Sequence, residues 1–198
     1  MSIALLVWRP KPLDRVVIGG FLAGLIAVAA YDAFRLLTVY GFHWWGDFIP
    51  RMGGWVTDAP SNAVVGYAWR YPGDGGGIGL VFFALAASFG IASWSHRRIM
   101  AIAITFAVVP VWVGLIATVA VARDGATLLF PLNPATVALS LVGHVIYGTV
   151  LGACCGAIRT WAFTWPWQLA ISRLNEESPQ PWCRRVRHRG CAFWSSEL

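Results

Sequence analysis

Residues 135–158, ATVALSLVGHVIYGTVLGACCGAI, form one long stretch without a charged side chain. About 20 apolar residues in a helix rising 1.5 Å each span the hydrocarbon core of a bilayer, so this stretch is read as a membrane-crossing helix. His144 lies near its middle and Tyr147 one turn on. Gly148, Gly152 and Gly156 follow at four-residue spacing, which places them on one helix face. Such a helix is suited to close packing against a neighbour and carries a titratable group at membrane depth. The composition agrees with a membrane setting. The chain of 198 residues is 58% apolar and 12% charged, whereas soluble domains are nearer half apolar and a quarter charged.

Three further apolar stretches supply partners. The first is 16–40, where Gly20 and Gly24 stand four apart with Ala27 on the same stripe. Small residues at this spacing let helix backbones approach closely in lipid. A basic N-terminal region and Ala27-Val28-Ala29 also fit a signal-peptide template. The helical pattern continues through YDAFRLLTVY, however, and the stretch is read as a retained span. The second is 75–94 and the third 99–122, joined only by a short turn holding His96, Arg97 and Arg98, which implies an antiparallel hairpin. Pro110 removes a backbone donor in the third and predicts a kink. Pro134 marks the start of the fourth helix.

The expected fold is therefore an all-α, four-helix membrane bundle over residues 1–160, followed by a basic tail over 161–198. The connection 41–74 carries Trp44, Trp45, Trp55, Tyr67, Trp69 and Tyr71, side chains that favour the bilayer interface. It is expected to form an interfacial outer cap, with a short helix over 61–69. Basic residues set the orientation. Arg9, Lys11, Arg15, Arg97, Arg98, Arg159, Arg173, Arg184, Arg185, Arg187 and Arg189 fall on one side, against Arg51, Arg70 and Arg123 on the other. Both termini are expected in the cytoplasm. This placement at span ends, rather than on one folded face, argues against reading the formal charge of +6 as a nucleic-acid footprint.

Asp32 and Arg35 are the sharpest chemical feature, one turn apart inside the first span. Intramembrane charges face the bundle interior and pair. Side-chain lean brings them toward His144 and Tyr147 on the fourth helix. The cluster is read as an ion pair fixing helix register, with a proton or ion relay as the competing reading. No second intramembrane histidine stands opposite His144 for haem. His43 with Asp47 supplies two metal ligands only, and Cys183, His188 and Cys191 match no zinc spacing. No metal or other cofactor is expected. Cys154 and Cys155 are adjacent in an apolar helix, where they serve as small buried side chains or as acylation sites. The run Pro-Gly-Asp-Gly-Gly-Gly-Ile-Gly at 72–79 lacks the Gly-Lys-Ser/Thr of a phosphate loop and is read as a flexible entry to the second span. Arg184, Arg185, Arg187 and Arg189 are expected to touch anionic lipid headgroups.

The four-span layout, with Gly143-His144-Val145-Ile146-Tyr147-Gly148 in the last span, resembles small bacterial inner-membrane proteins of the DUF1440/YagU-like type. That resemblance implies location and topology and carries no reaction. The sequence holds no complete nucleophile–base set, metal triad or nucleotide loop. The expected role is non-enzymatic: a structural, accessory or interaction subunit contacting the bilayer and a membrane protein partner or a second copy. The alternative is a small transporter or channel component using Asp32, Arg35 and His144.

Overall fold

The computed structural model describes residues 12–158, and these are helical without a strand. Arg184, Arg185, Arg187 and Arg189, expected at lipid headgroups, and Cys183, His188 and Cys191 lie outside the described residues. Helix α1 is Pro12–Leu36, continued by the wider π-helical turns of Leu37–Gly41. α2 is Ile49–Val56 and α3 is Ala63–Ala68. A π-helical segment, Trp69–Gly77, leads without a break into α4, Ile78–Ser88. α5 is His96–Phe106, joined through π-helical Ala107–Trp112 to α6, Val113–Val121. α7 is the single turn Gly125–Leu128, and α8 is Pro134–Ala157.

Among the described residues, three helices are long and apolar enough to cross a membrane: Val16–Gly41, His96–Val121 and Pro134–Ala157. The second expected span, 75–94, differs from the structure at both ends. Helix already begins at Ala63, where the Asn62 side chain accepts from Val65 N at 3.1 Å. It ends at Ser88, because Gly90 turns into the left-handed region at φ 67°. This continuous helix contains Arg70 and Asp74, which lower its hydropathy. Its fully apolar part, α4, is only 11 residues long.

The glycine-rich run at 72–79 is also not a flexible entry. It is a helical surface pressed against α1, with Gly75 and Gly76 buried. A Cβ on Gly24 would stand 2.9 Å from the Gly75 carbonyl carbon and 3.0 Å from Gly79 Cα. Two backbones meet here with no room for a side chain, which maximises van der Waals contact where water supplies no hydrophobic drive. Pro72 and Pro110 each sit inside a π-helical segment. A proline cannot donate to the carbonyl four residues back, and a local widening of the helix accommodates that loss.

α1 and α8 pack on one another and form the centre. α4 lies on the other side of α1, through Gly20 and Gly24, and α5 lies on the glycine face of α8. A Cβ on Gly148 would meet Ile104 Cα at 2.7 Å, and one on Gly152 would meet Met100 Cα at 3.0 Å. Gly156 abuts the His96 ring, and Gly143 lies under the Tyr31 ring. One apolar core joins Val16, Ala23, Ala27, Phe82, Phe83, Ile99, Ala103, Leu151 and Cys155. A second lies at the end where α1 finishes, the cap end, built on Trp45, Phe48, Ile49, Val119 and Phe130. The aromatic rings of Trp45, Phe48 and Phe130 contact one another at centroid distances of 5.4–5.9 Å. α8 starts with a reciprocal cap: Asn133 accepts from Thr136 N at 3.0 Å, and Thr136 Oγ1 accepts from Asn133 N at 3.3 Å.

Candidate functional site

Charged side chains gather where the cap meets α1. Within α1, Arg35 Nε donates to Asp32 Oδ1 at 3.1 Å, and both side chains are sealed, at 0% and 1% exposure. Arg35 also leaves its own helix. Nη1 donates to Asp47 Oδ1 at 2.6 Å, and Nη2 donates to the Tyr67 hydroxyl at 2.8 Å. Its guanidinium lies 5.6 Å from the Phe48 ring centre and 5.8 Å from that of Tyr67, within range of a cation–π contact. One fully buried arginine therefore binds α1, the connection before α2, and α3. Ile49 N donates to the same Asp47 Oδ1 at 3.2 Å, and the Tyr40 hydroxyl donates to Oδ2 at 2.8 Å.

Asp32 has a second cation. Arg70 Nε and Nη2 donate to Asp32 Oδ1 at 3.3 and 3.2 Å. Arg70 Nη1 lies 3.7 Å from Asp74 Oδ2, and its guanidinium covers the Tyr31 ring at 4.5 Å. The charge count places Arg70 in the outer connection; the fold makes it helical and buries it. Three carboxylates, Asp32, Asp47 and Asp74, thus share two guanidinium groups. Asp32 Oδ2 is buried without a hydrogen-bond partner among the described residues.

His144 and Tyr147 stand beside this network and form no hydrogen bond to Asp32 or Arg35 among the described residues. His144 Nδ1 is 2.7 Å from Ser140 O. A carbonyl only accepts, so Nδ1 carries the proton and Nε2 is left as the acceptor. The imidazole meets Tyr31 edge-on at 5.2 Å, and the Tyr147 hydroxyl donates to Gly75 O at 2.9 Å. Ser140 Oγ accepts from Trp112 Nε1 at 2.9 Å, which ties the Pro110 segment to α8. The expected meeting of α1 and α8 at His144 is therefore made through Tyr31, with Arg70 as the connecting charge. A cavity of about 20 Å³ lies among Tyr31, Arg70, Asp74, His144, Tyr147 and three aliphatic side chains. That volume holds one water and excludes a solute.

Among the members that sequence reasoning left out of the cluster are Tyr67, Arg70 and Asp74. They are spaced three and four apart, the signature of one helix face. Pro72 and the glycines around it gave the segment the look of a loop and masked that signal.

Elsewhere at the cap end, Arg51 donates to Thr127 O at 3.0 Å and to Leu129 O at 3.2 Å. It fastens α2 to the α7 turn beside an open cleft of about 330 Å³. His43 adopts φ 56° and places Nδ1 3.2 Å from Val39 O, while Asp47 is engaged by Arg35 and Tyr40. Among the described residues no three His, Cys, Asp or Glu side chains are grouped to hold a metal. Cys155 is buried in the core between helices, and Cys154 is half-buried. Comparison of the chain with protein-family models, with curated proteins and with solved structures gives no match.

Asp47 gives the network a pH dependence. Partial burial pushes its carboxyl up, but the Tyr40 hydroxyl and the Arg35 guanidinium outweigh that and hold it below the usual carboxylate range. A depressed folded-state value stabilises the fold fully above the unfolded value of about 3.9, and this stability is lost as the pH falls through the lower folded value. Thermal unfolding in detergent should show Asp47→Asn costing stability at pH 7, with the gap to the native protein closing below about pH 4. An unchanged gap down to pH 3 would remove Asp47 from the network.

Proposed function

We propose that this is a four-span membrane protein with a non-enzymatic, structural or interaction role, whose charge network holds the cap in one orientation on the membrane helices. The observation that carries this reading is Arg35. It is wholly buried and spends its donors on Asp32, Asp47 and Tyr67, from three separate parts of the chain. A side chain so engaged is committed to holding a fold together. The cavity beside Arg70, at about 20 Å³, is too small for a solute path.

In this reading the continuous helix over 63–88 is the remaining span, with Arg70 and Asp74 at its cap end near the interface. Both termini lie in the cytoplasm of a bacterial cell, and the cap faces outward. Trp44, Trp55 and Trp69 are exposed there, and such side chains suit a bilayer interface or a neighbouring membrane protein. The partner is another membrane protein or a second copy.

Reporter fusions at residues 60 and 128 should read outside, and fusions at residue 96 and the C-terminus inside. A C-terminus outside would mean that 63–88 does not cross. Purified protein in proteoliposomes should move no protons or ions above empty vesicles, while crosslinking in native membranes should recover a discrete complex through the cap. Flux that Asp32→Asn abolishes would overturn the structural role.

A further inference from the structure

The cavity beside Arg70 has a composition that the holding role does not require. Its walls bring together a carboxylate, a guanidinium, two phenols and an imidazole: Asp74, Arg70, Tyr31, Tyr147 and His144. Apolar cavities in proteins stay dry, whereas polar ones of this size hold ordered water. At about 20 Å³ the space admits one water, and Asp74 and His144 both line it. The polar groups are also complementary. Nδ1 of His144 is committed to Ser140 O, so the ring turns a free acceptor, Nε2, to its remaining surroundings. The Tyr147 hydroxyl has given its proton to Gly75 O and retains lone pairs. Arg70 supplies donors, and Asp74 is the wall that reaches the surface, its side chain 37% exposed.

We infer that this cavity is a one-water site across which Asp74 and His144 Nε2 exchange a proton. Protonated Asp74 gives its proton to the water oxygen, and the water gives one of its own to Nε2. The products are a carboxylate, an imidazolium and the same water. Nδ1–H stays on Ser140 O throughout, so the ring does not rotate. The charged groups around the imidazole are identifiable from each neighbouring element. Tyr31 and Asp32 stand on α1, the latter reached through Arg70; Arg70 and Asp74 stand on the segment Trp69–Gly77; Tyr147 stands on α8. The Ala107–Trp112 and α4 walls, Val111 and Ile78, are aliphatic. A proton on His144 sets a positive charge against Arg70 and leaves Asp74 to draw Arg70 away from Asp32. The site therefore links proton uptake from the cap side to the contact that Arg70 makes with α1.

The test is ring ¹⁵N spectroscopy of histidine-labelled protein in lipid nanodiscs, with His144→Gln identifying the His144 signals. At neutral pH the ring should be the Nδ1–H form, with magnetisation passing from water to the ring. On lowering the pH, Nε2 should gain a proton while Nδ1 keeps its own. Asp74→Asn should leave the tautomer unchanged and slow proton exchange at Nε2 at least tenfold. An Nε2–H tautomer, absence of water transfer, or an exchange rate indifferent to Asp74→Asn would each overturn the inference. None of these outcomes depends on the topology or the partner proposed above.

Discussion

Replacing Asp32 with Asn should destabilise the protein by about 3–5 kcal/mol, the range for removing one partner of a buried ion pair. The second-site responses should then differ sharply. Without Asp32, Arg35 still holds Asp47 at 2.6 Å and Tyr67 at 2.8 Å. Arg70 keeps only Asp74 as an anionic partner, at 3.7 Å, beside the Tyr31 ring. The orphaned charge is therefore Arg70. Asp32→Asn with Arg70→Gln should recover a large part of the loss. Asp32→Asn with Arg35→Gln should be worse than Asp32→Asn alone, because it also strips Asp47 of its cation. His144→Ala should cost only about 1 kcal/mol, the value of one hydrogen bond, and should add to Asp32→Asn. Thermal unfolding in detergent measures all five proteins. Rescue by Arg35→Gln instead of Arg70→Gln would show that the network is not wired as described.

Gly24→Ala should also destabilise the protein, by a different cause. The added Cβ meets the backbone of Gly75 and Gly79 rather than a movable side chain, so α1 and α4 must separate. Overpacking of this kind costs about 1–3 kcal/mol, and here it also pulls the segment carrying Arg70 away from Asp32. Gly114 is the control, because a Cβ there meets nothing within 4 Å. Gly114→Ala should be neutral or should stabilise by about 0.5–1 kcal/mol, the ordinary gain of alanine over glycine in a helix. Equal effects at the two positions would mean that the α1–α4 contact is not close-packed.

Apolar length and small-residue spacing determined much of the fold from the sequence alone. Spans read as 16–40, 99–122 and 135–158 correspond to helical runs at Val16–Gly41, His96–Val121 and Pro134–Ala157. These boundaries are legible because hydropathy, prolines and caps act over a few neighbouring residues. The acid–base pair at Asp32 and Arg35 was legible for the same reason, since one helical turn relates them. The rest of the network was decided by tertiary structure. Arg70 is 38 residues from Asp32 and Asp47 is 12 from Arg35, and no local pattern specifies which charge meets which across such distances. The glycines at 75, 76 and 79 read as loop residues in one dimension. In three dimensions their missing side chains let the backbone seat against α1, and that seating carries Arg70 to Asp32 and Tyr147 to Gly75.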